Sequence, residues 1–427
     1  MKTLVLLVAG ARPNYMKIAP IHWALTREDL AVLEVEIVHT GQHYDARLSD
    51  DFFRDLDLPA PTMNLGVGSG SHAEQTARVM VGFERVLAEK RPQLVVVVGD
   101  VNSTAACALV TAKTEYDHGN RPLLVHIEAG LRSGDRTMPE EINRLVTDTV
   151  ADVLFTTCRD AETNLLAEGI APERIRFVGN PMIDSLLRCL PRAERSGMLE
   201  RLHLTPGHFG LCTLHRPSNV DRPAVLVEIL TALDEIAADL PILLPLHPRT
   251  RQRIQAFGLR ERLTAAGRPD GRAALRGVIP VDPLSYLAML QLMKHARVVF
   301  TDSGGIQEET TALGVPCVTL RENTERPVTI TEGSNVLAGV TRRGIWTGFE
   351  AALRKRATAR VPELWDGNAG GRIVAALVEL ARTRGAAKGE PPPQGSTGSG
   401  VPDRAPGGNE APVRANPADA SSRIVLS

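Results

Sequence analysis

The chain has 427 residues, 43% of them hydrophobic and 23% charged, an ordinary globular composition with length enough for two domains and a tail. Its 49 basic residues nearly balance 50 acidic ones, so no global field favours nucleic acid or an anionic membrane, and any anion must be held by local sites. The five cysteines, Cys107, Cys158, Cys189, Cys212 and Cys317, lie far apart with no CxxC or Cys/His spacing, and they read as reduced packing residues of a cytoplasmic protein.

The first apolar run, "TLVLLVAG", is short and lacks a small-x-small cleavage pattern after it. It predicts a buried β-strand, not a signal peptide. "EVEIVHTG", "QLVVVVGD", "LLVHIEAG" and "VLFTT" follow as further strands, and "RIRFVGN" closes this half. Helical stretches such as "HAEQTARVMVGFERVLAEK" lie between them. Continuous Val/Leu runs mean strands covered on both faces, and the intervening helices imply right-handed crossovers in a parallel sheet.

The pattern repeats after about residue 181, with "FGLCTLH", "PILLPLH", "GVIPV", "RVVFTDSGG" and "PCVTL" as a second strand set. The expected fold is therefore α/β, with two Rossmann-like domains facing across a cleft. Residues 1–180 form the first domain and residues 181–366 the second. A helix over 367–384 packs back on the first domain, and a Pro/Gly/Ser-rich disordered tail occupies 385–427. No apolar run is long enough for a transmembrane helix.

Ligands of such sheets bind at the carboxyl ends of the strands, so the polar residues in those loops are the site candidates. "GARPNYMKIAP" places Arg12 and Lys17 around a helix opening, where a positive pair beside free backbone donors suits a phosphate; a solvated surface pair is the plainer alternative. Asp100 ends the strand in "VVVVGD" and could simply cap the next helix. Glu128 follows a strand directly, where packing would prefer an apolar residue, whereas Glu140 and Glu141 sit in a first helical turn that favours acids anyway. His215 and Arg216 stand at another strand end, and His247 and Arg249 repeat the arrangement.

"FTDSGGIQEETTALG" is the most informative loop. Ser303-Gly304-Gly305 lets a diphosphate approach the N-terminus of the helix that follows, where each charge-assisted hydrogen bond contributes roughly 1.5–3 kcal/mol. Glu309, a turn further on, can pass the phosphates and accept hydrogen bonds from two vicinal hydroxyls, as on a ribose. Arg326 in "LRENTERP" adds another cation. Metal-ligand spacings, GxGxxG and GxxxxGK are all absent from the sequence, so we expect no protein-built metal site, standard dinucleotide site or P-loop.

Together these stretches, with "TGQHYD", "VGNPMIDSL" and "HPRT", resemble the non-hydrolysing UDP-N-acetylglucosamine 2-epimerases over nearly everything before the tail. The resemblance implies the GT-B type fold in a homodimer, no cofactor, no nucleic-acid or membrane partner, and reversible interconversion of UDP-N-acetylglucosamine and UDP-N-acetylmannosamine. It places UDP on Arg12, Lys17, His215, Ser303, Gly304, Gly305, Glu309 and Arg326. Asp100, Glu128 and Glu140 match the catalytic carboxylates, and His215 matches the catalytic histidine. Gln42, Arg216 and His247 match parts of a second, activating UDP-N-acetylglucosamine site of bacterial members, although Tyr44-Asp45 replaces the Arg-Glu found in many of them. Pro181 stands where the family more usually has Thr. The alternatives are a 2-epimerase of a related UDP-N-acetyl sugar, a hydrolysing epimerase, a GT-B glycosyltransferase and an inactive UDP-sugar sensor.

Overall fold

The computed structural model describes residues 2–41, 55–263 and 276–387. Gln42, Tyr44 and Asp45 lie outside the described residues, as does the expected tail from residue 388 on; its first three positions, 385–387, instead continue the last helix. A compact unit, Met1–Gly385, carries both sheets.

The first sheet contains β1 (Thr3–Ala9), β2 (Leu33–His39), β3 (Met63–Asn64), β4 (Leu94–Val98), β5 (Leu123–Ala129), β6 (Val153–Thr156) and β7 (Ile175–Phe177), in the spatial order β3-β2-β1-β4-β5-β6-β7. The second contains β8 (Gly210–Thr213), β9 (Ile242–Pro245), β10 (Val278–Val281), β11 (Val298–Thr301), β12 (Cys317–Thr319) and β13 (Asn335–Leu337), in the order β10-β9-β8-β11-β12-β13. Every pairing is parallel. All five residues of β4 are buried, as its unbroken Leu/Val run demands of a strand covered on both faces. The apolar start of the chain is likewise a strand, β1. The sequence reading passed over β3 and β13. They span only 2 and 3 residues at sheet edges.

In each sheet the winding reverses once, between β1 and β4 and between β8 and β11. Loops leaving the carboxyl ends of neighbouring strands diverge there and open a crevice. The helix Pro181–Ala193 joins the two halves. Asn180 caps it by accepting from Met182 N at 2.9 Å, and Pro181 occupies the first turn, where its missing N–H costs nothing. This helix packs on helices Arg12–Ala24, Tyr286–His295 and Gly304–Leu313, so it is core to both halves.

The helix Ala369–Ala387 lies against elements of the first half. Asp184 accepts its first N–H groups, Ala369 N at 3.2 Å and Gly370 N at 2.7 Å. Further along, Glu379 pairs with Arg176 at 2.8 Å, and Arg384 donates to the Gln93 carbonyl at 2.8 Å. Among the described residues no helix is long and apolar enough to cross a membrane.

Candidate active site

The loop after β1 is stapled to the end of β4 by one buried side chain. Asn14 Oδ1 accepts from Gly10 N (3.0 Å) and Ala11 N (2.9 Å), while Nδ2 donates to the Val98 carbonyl at 3.0 Å. This fixes the helix Arg12–Ala24 beside the β4 loop. Lys17, on its second turn, is buried and ion-paired with Glu128 Oε2. Arg12 is the first residue of that helix. Gly99 leaves β4 with φ +67°, and a Cβ there would lie 2.9 Å from Lys17 Nζ and 3.2 Å from Glu128 Oε2. A side chain there would crowd that ion pair, and the left-handed backbone itself favours glycine.

Glu128 has φ +71°, and the β5–β6 register shifts between Ile127 and Ala129. It is therefore a bulge residue in the left-handed region, a conformation that costs a non-glycine about 1–3 kcal/mol and re-aims its side chain. The carboxylate is held at both oxygens, Oε2 by Lys17 and Oε1 by Arg326 Nη2 at 2.8 Å. The second of these bonds joins the two halves across the crevice.

Asp100 does not cap its helix. The N-cap of Asn102–Lys113 is Val101, with no side-chain bond, and the Asp100 carboxylate pairs with Arg144. Arg144 is 1% exposed and also reaches Glu141 Oε2, from Nη2 at 2.6 Å and from Nε at 3.1 Å. Glu141 in turn accepts from Ser133 N and Gly134 N at 3.0 Å. Burial works to raise the Glu141 pKa, but the backbone donors and Arg144 outweigh it and hold the carboxylate below its ordinary range. The helix Pro139–Val150 thus buries a polar stripe, Glu141, Arg144, Thr147 and Asp148, and leaves Ile142 exposed. Glu140, on the same first turn, is half-buried.

Beneath these loops His126 is fully buried. Its Nδ1 meets Asp148 Oδ1 at 2.6 Å and its Nε2 meets the Gly99 carbonyl at 2.9 Å. Asp148 Oδ2 accepts from Gly130 N at 3.0 Å and pairs with Arg132 at 2.7 Å. One buried pair therefore pins both the residue before Asp100 and the second residue after Glu128.

From the second half, Asp302 at the end of β11 is 0% exposed. It takes His215 Nδ1 at 2.9 Å and accepts from His215 N at 3.0 Å and Arg216 N at 2.9 Å. Burial would raise its pKa; His215 and the two backbone donors more than reverse that, so the carboxyl titrates below its usual range. The Ser303 side chain makes no cap bond to the helix Gly304–Leu313. A Cβ on Gly304 would collide with the Arg326 guanidinium, and one on Gly305 would sit 3.0 Å from Met182 Cε. Glu309 is buried, with Oε1 accepting from Tyr286 Oη at 2.9 Å.

Arg326 is the hub. Besides Glu128 it meets Glu325 Oε1 from Nη1 at 2.6 Å and lies 2.9 Å from Glu308 Oε1 through Nε. Glu325 also pairs with Arg321 at 2.8 Å and Arg216 at 3.5 Å. Burial opposes its ionisation, but Arg326, Arg321, Arg216 and Arg144 keep its pKa far below the carboxylate range. Glu308 and Glu309 move the other way. Desolvation raises both, and Glu309 is brought to about 7.

Lys17, Asp100, His215, Ser303, Gly304 and Gly305 are thus carried by the segments that follow β1, β4, β8 and β11 at the two switch points, while Glu128 comes from the end of β5 and Arg326 from the loop after β12. Arg216 joins them through Glu325 and the Asp302 carbonyl. The His247 ring lies 5.7 Å from that of His215, and its Nδ1 accepts from Arg249 N at 3.2 Å. The sequence reading missed Asp302, Glu325, Arg144 and His126. Polar residues at helical spacing in "EINRLVTD" were the available signal for Arg144 and Asp148, and an acid directly after an apolar strand was the signal for Asp302. Among the described residues no group of three or more His, Cys, Asp or Glu side chains is placed to hold a metal ion.

Comparison with known proteins converges on one family. The sequence profile described as UDP-N-acetylglucosamine 2-epimerase matches residues 26–378. A UDP-N-acetylglucosamine 2-epimerase of Methanocaldococcus jannaschii is 39% identical over 376 residues, covering 87% of this chain and 98% of that protein. A UDP-2,3-diacetamido-2,3-dideoxy-D-glucuronate 2-epimerase of Pseudomonas aeruginosa is 38% identical, covering 88% and 99%. The crystal structure of the M. jannaschii enzyme in complex with UDP-GlcNAc and UDP superposes with a TM-score of 0.77 at 38% identity, over 89% of this chain and all of that one. With two parallel sheets, each reversing its winding once, and a match along most of its length, the chain belongs to the UDP-N-acetylglucosamine 2-epimerase family.

Proposed function

We propose that the protein interconverts UDP-N-acetylglucosamine and UDP-N-acetylmannosamine by eliminating UDP and adding it back, without net hydrolysis. The observation that carries this reading is the bond between Glu128 and Arg326 at 2.8 Å. It puts an acid of the first half and a cation of the second at one point of the crevice.

The C2–H of an N-acetylhexosamine has no adjacent carbonyl, so it is not acidic in the bound sugar. Breaking the C1–O bond sends its electron pair out with UDP and leaves oxocarbenium character at C1. A carboxylate then takes the C2 proton, and the C–H pair becomes the C1–C2 double bond of a 2-acetamidoglucal. Return of a proton to the opposite face of C2 and of UDP to C1 gives the epimer. The electron count closes, so no redox cofactor is consumed. Departure of a diphosphate needs fixed positive potential. Arg12, Lys17, His215, Arg326 and the backbone at Ser303-Gly304-Gly305 supply it in this reading, while Glu309 accepts the ribose hydroxyls. Proton removal and return on opposite faces needs more than one acid/base group. Asp100 and Glu128 take that part, with Glu140 in support.

The working protein is a cytoplasmic homodimer in this reading. Proton NMR with UDP-N-acetylglucosamine in D2O tests it: the epimer forms with deuterium at C2 and little free UDP. Accumulation of free UDP and free N-acetylmannosamine assigns hydrolysis instead. Because the Pseudomonas relative, at 38% identity, is named for a diacetamido uronate, the same experiment is run on that nucleotide sugar, and turnover confined to it reassigns the substrate.

A further inference from the structure

We propose that the nucleotide diphosphate and the Glu128 carboxylate compete for the same two cations, Lys17 and Arg326, so that seating the leaving group unmasks the base. The inference rests on the reading of the crevice as a UDP-sugar site and deepens it.

Glu128 Oε2 is taken by Lys17 and Oε1 by Arg326. All three side chains are between 5% and 7% exposed, so little water screens them. Both oxygens of the carboxylate are thus occupied by buried cations, and neither is open toward a bound sugar. The same two cations are those assigned to the diphosphate. Lys17 lies on a helix whose N-terminus opens beside the crevice, and Arg326 sits over Gly304, where a Cβ would strike it. A diphosphate held there draws on both.

Arg326 can shift toward the diphosphate without leaving the crevice. Glu325 holds Nη1 at 2.6 Å and Glu308 lies 2.9 Å from Nε, whereas only Nη2 reaches Glu128. The charged groups around Glu128 are Lys17 from the helix Arg12–Ala24, Arg326 from the loop before Val328, and Glu308 from the helix Gly304–Leu313. Asp100, from the β4 loop, acts on Arg326. Once Lys17 and Arg326 turn to phosphate oxygens, both Glu128 oxygens lose the partners that now occupy them. The base becomes competent only when the leaving group is in place. This protects against wasteful exchange, and by linkage UDP and the ionised Glu128 oppose one another.

The test is UDP binding by titration calorimetry on the full-length chain, with circular dichroism confirming the fold of each variant. Glu128→Gln removes the competing charge. UDP should bind it about fivefold or more tightly than wild type, although turnover is lost. Equal or weaker binding overturns the competition. If that variant does not fold, Glu128→Asp keeps the charge but withdraws it by a methylene, and it too should bind UDP more tightly. Failure of wild type to bind UDP at all would instead sink the reading of the crevice, and this inference with it.

Discussion

His215 Nδ1 lies 2.9 Å from Asp302 Oδ1, and the same carboxylate accepts the backbone N–H groups of His215 and Arg216. One fully buried acid therefore sets the ring orientation and the path of the chain that carries it. With Nδ1 engaged, Nε2 is the ring nitrogen turned to a ligand.

Asp302→Asn should lower kcat by about 10²–10⁴-fold, the range associated with a single positioned acid/base group, with a smaller change in UDP affinity. Steady-state kinetics beside calorimetric binding separates the two. Equal losses in both would mean that Asp302 only supports the loop.

Asp100→Asn should still bind UDP but lose most turnover, because Arg144 remains to hold the amide while proton-accepting power is gone. Near-normal turnover would remove Asp100 from the chemistry. Arg144→Met removes the cation that bridges Asp100 and Glu141, and stranding a buried carboxylate costs about 3–5 kcal/mol. Urea unfolding should show a loss of that order.

Glu309 keeps its proton up to about pH 7 in the folded chain, because burial disfavours its charge, whereas an unfolded glutamate loses it near pH ~4.3. Between those limits the folded state binds more protons than the unfolded state, so stability falls as pH rises and levels off above the upper limit. Glu308 moves in the same direction. Glu309→Gln should flatten the dependence of the urea midpoint on pH through this window without abolishing it. An unchanged slope would show that Glu309 ionises normally.

Asp302 contributes with the opposite sign. Its pKa is depressed in the fold, so its stabilisation is complete above the unfolded value of about 3.9 and disappears as pH falls below it. Wild type should lose more stability than Asp302→Asn on acidification below about pH 4, measured by the same unfolding curves.

Gly304→Ala should weaken UDP binding strongly while the fold persists. The added methyl strikes the Arg326 guanidinium, which Glu325 and Glu128 hold in place. Arg326→Lys in the Gly304→Ala background, which shortens the obstructing head, should recover part of the affinity. No recovery would mean that the methyl obstructs the nucleotide itself.

Much of this architecture could be read along the chain, because the interactions that specify it are local. Leu94–Val98 is apolar at every position, and only a strand covered on both faces uses such a run. Glycines after β4 and β11 marked where backbone must turn sharply, and an acid directly after β5 marked Glu128. β3 and β13 span 2 and 3 residues at sheet edges and were passed over. Arg144 and Asp148 were passed over because polar residues at helical spacing read as a solvated face until something polar is packed against them.

The sequence by itself determined the alternation of strand and helix, its repetition in a second half, and the placing of polar residues at strand ends. Only the tertiary structure decided which of those residues meet. Glu128 finds Lys17 from 111 residues away and Arg326 from 198, and Asp302 reaches back 87 residues to His215. Periodicity and propensity act over a few residues, whereas a buried charge is tolerable only beside its counter-charge. The pairing is therefore settled when the two sheets assemble, because that is when these groups lose their water.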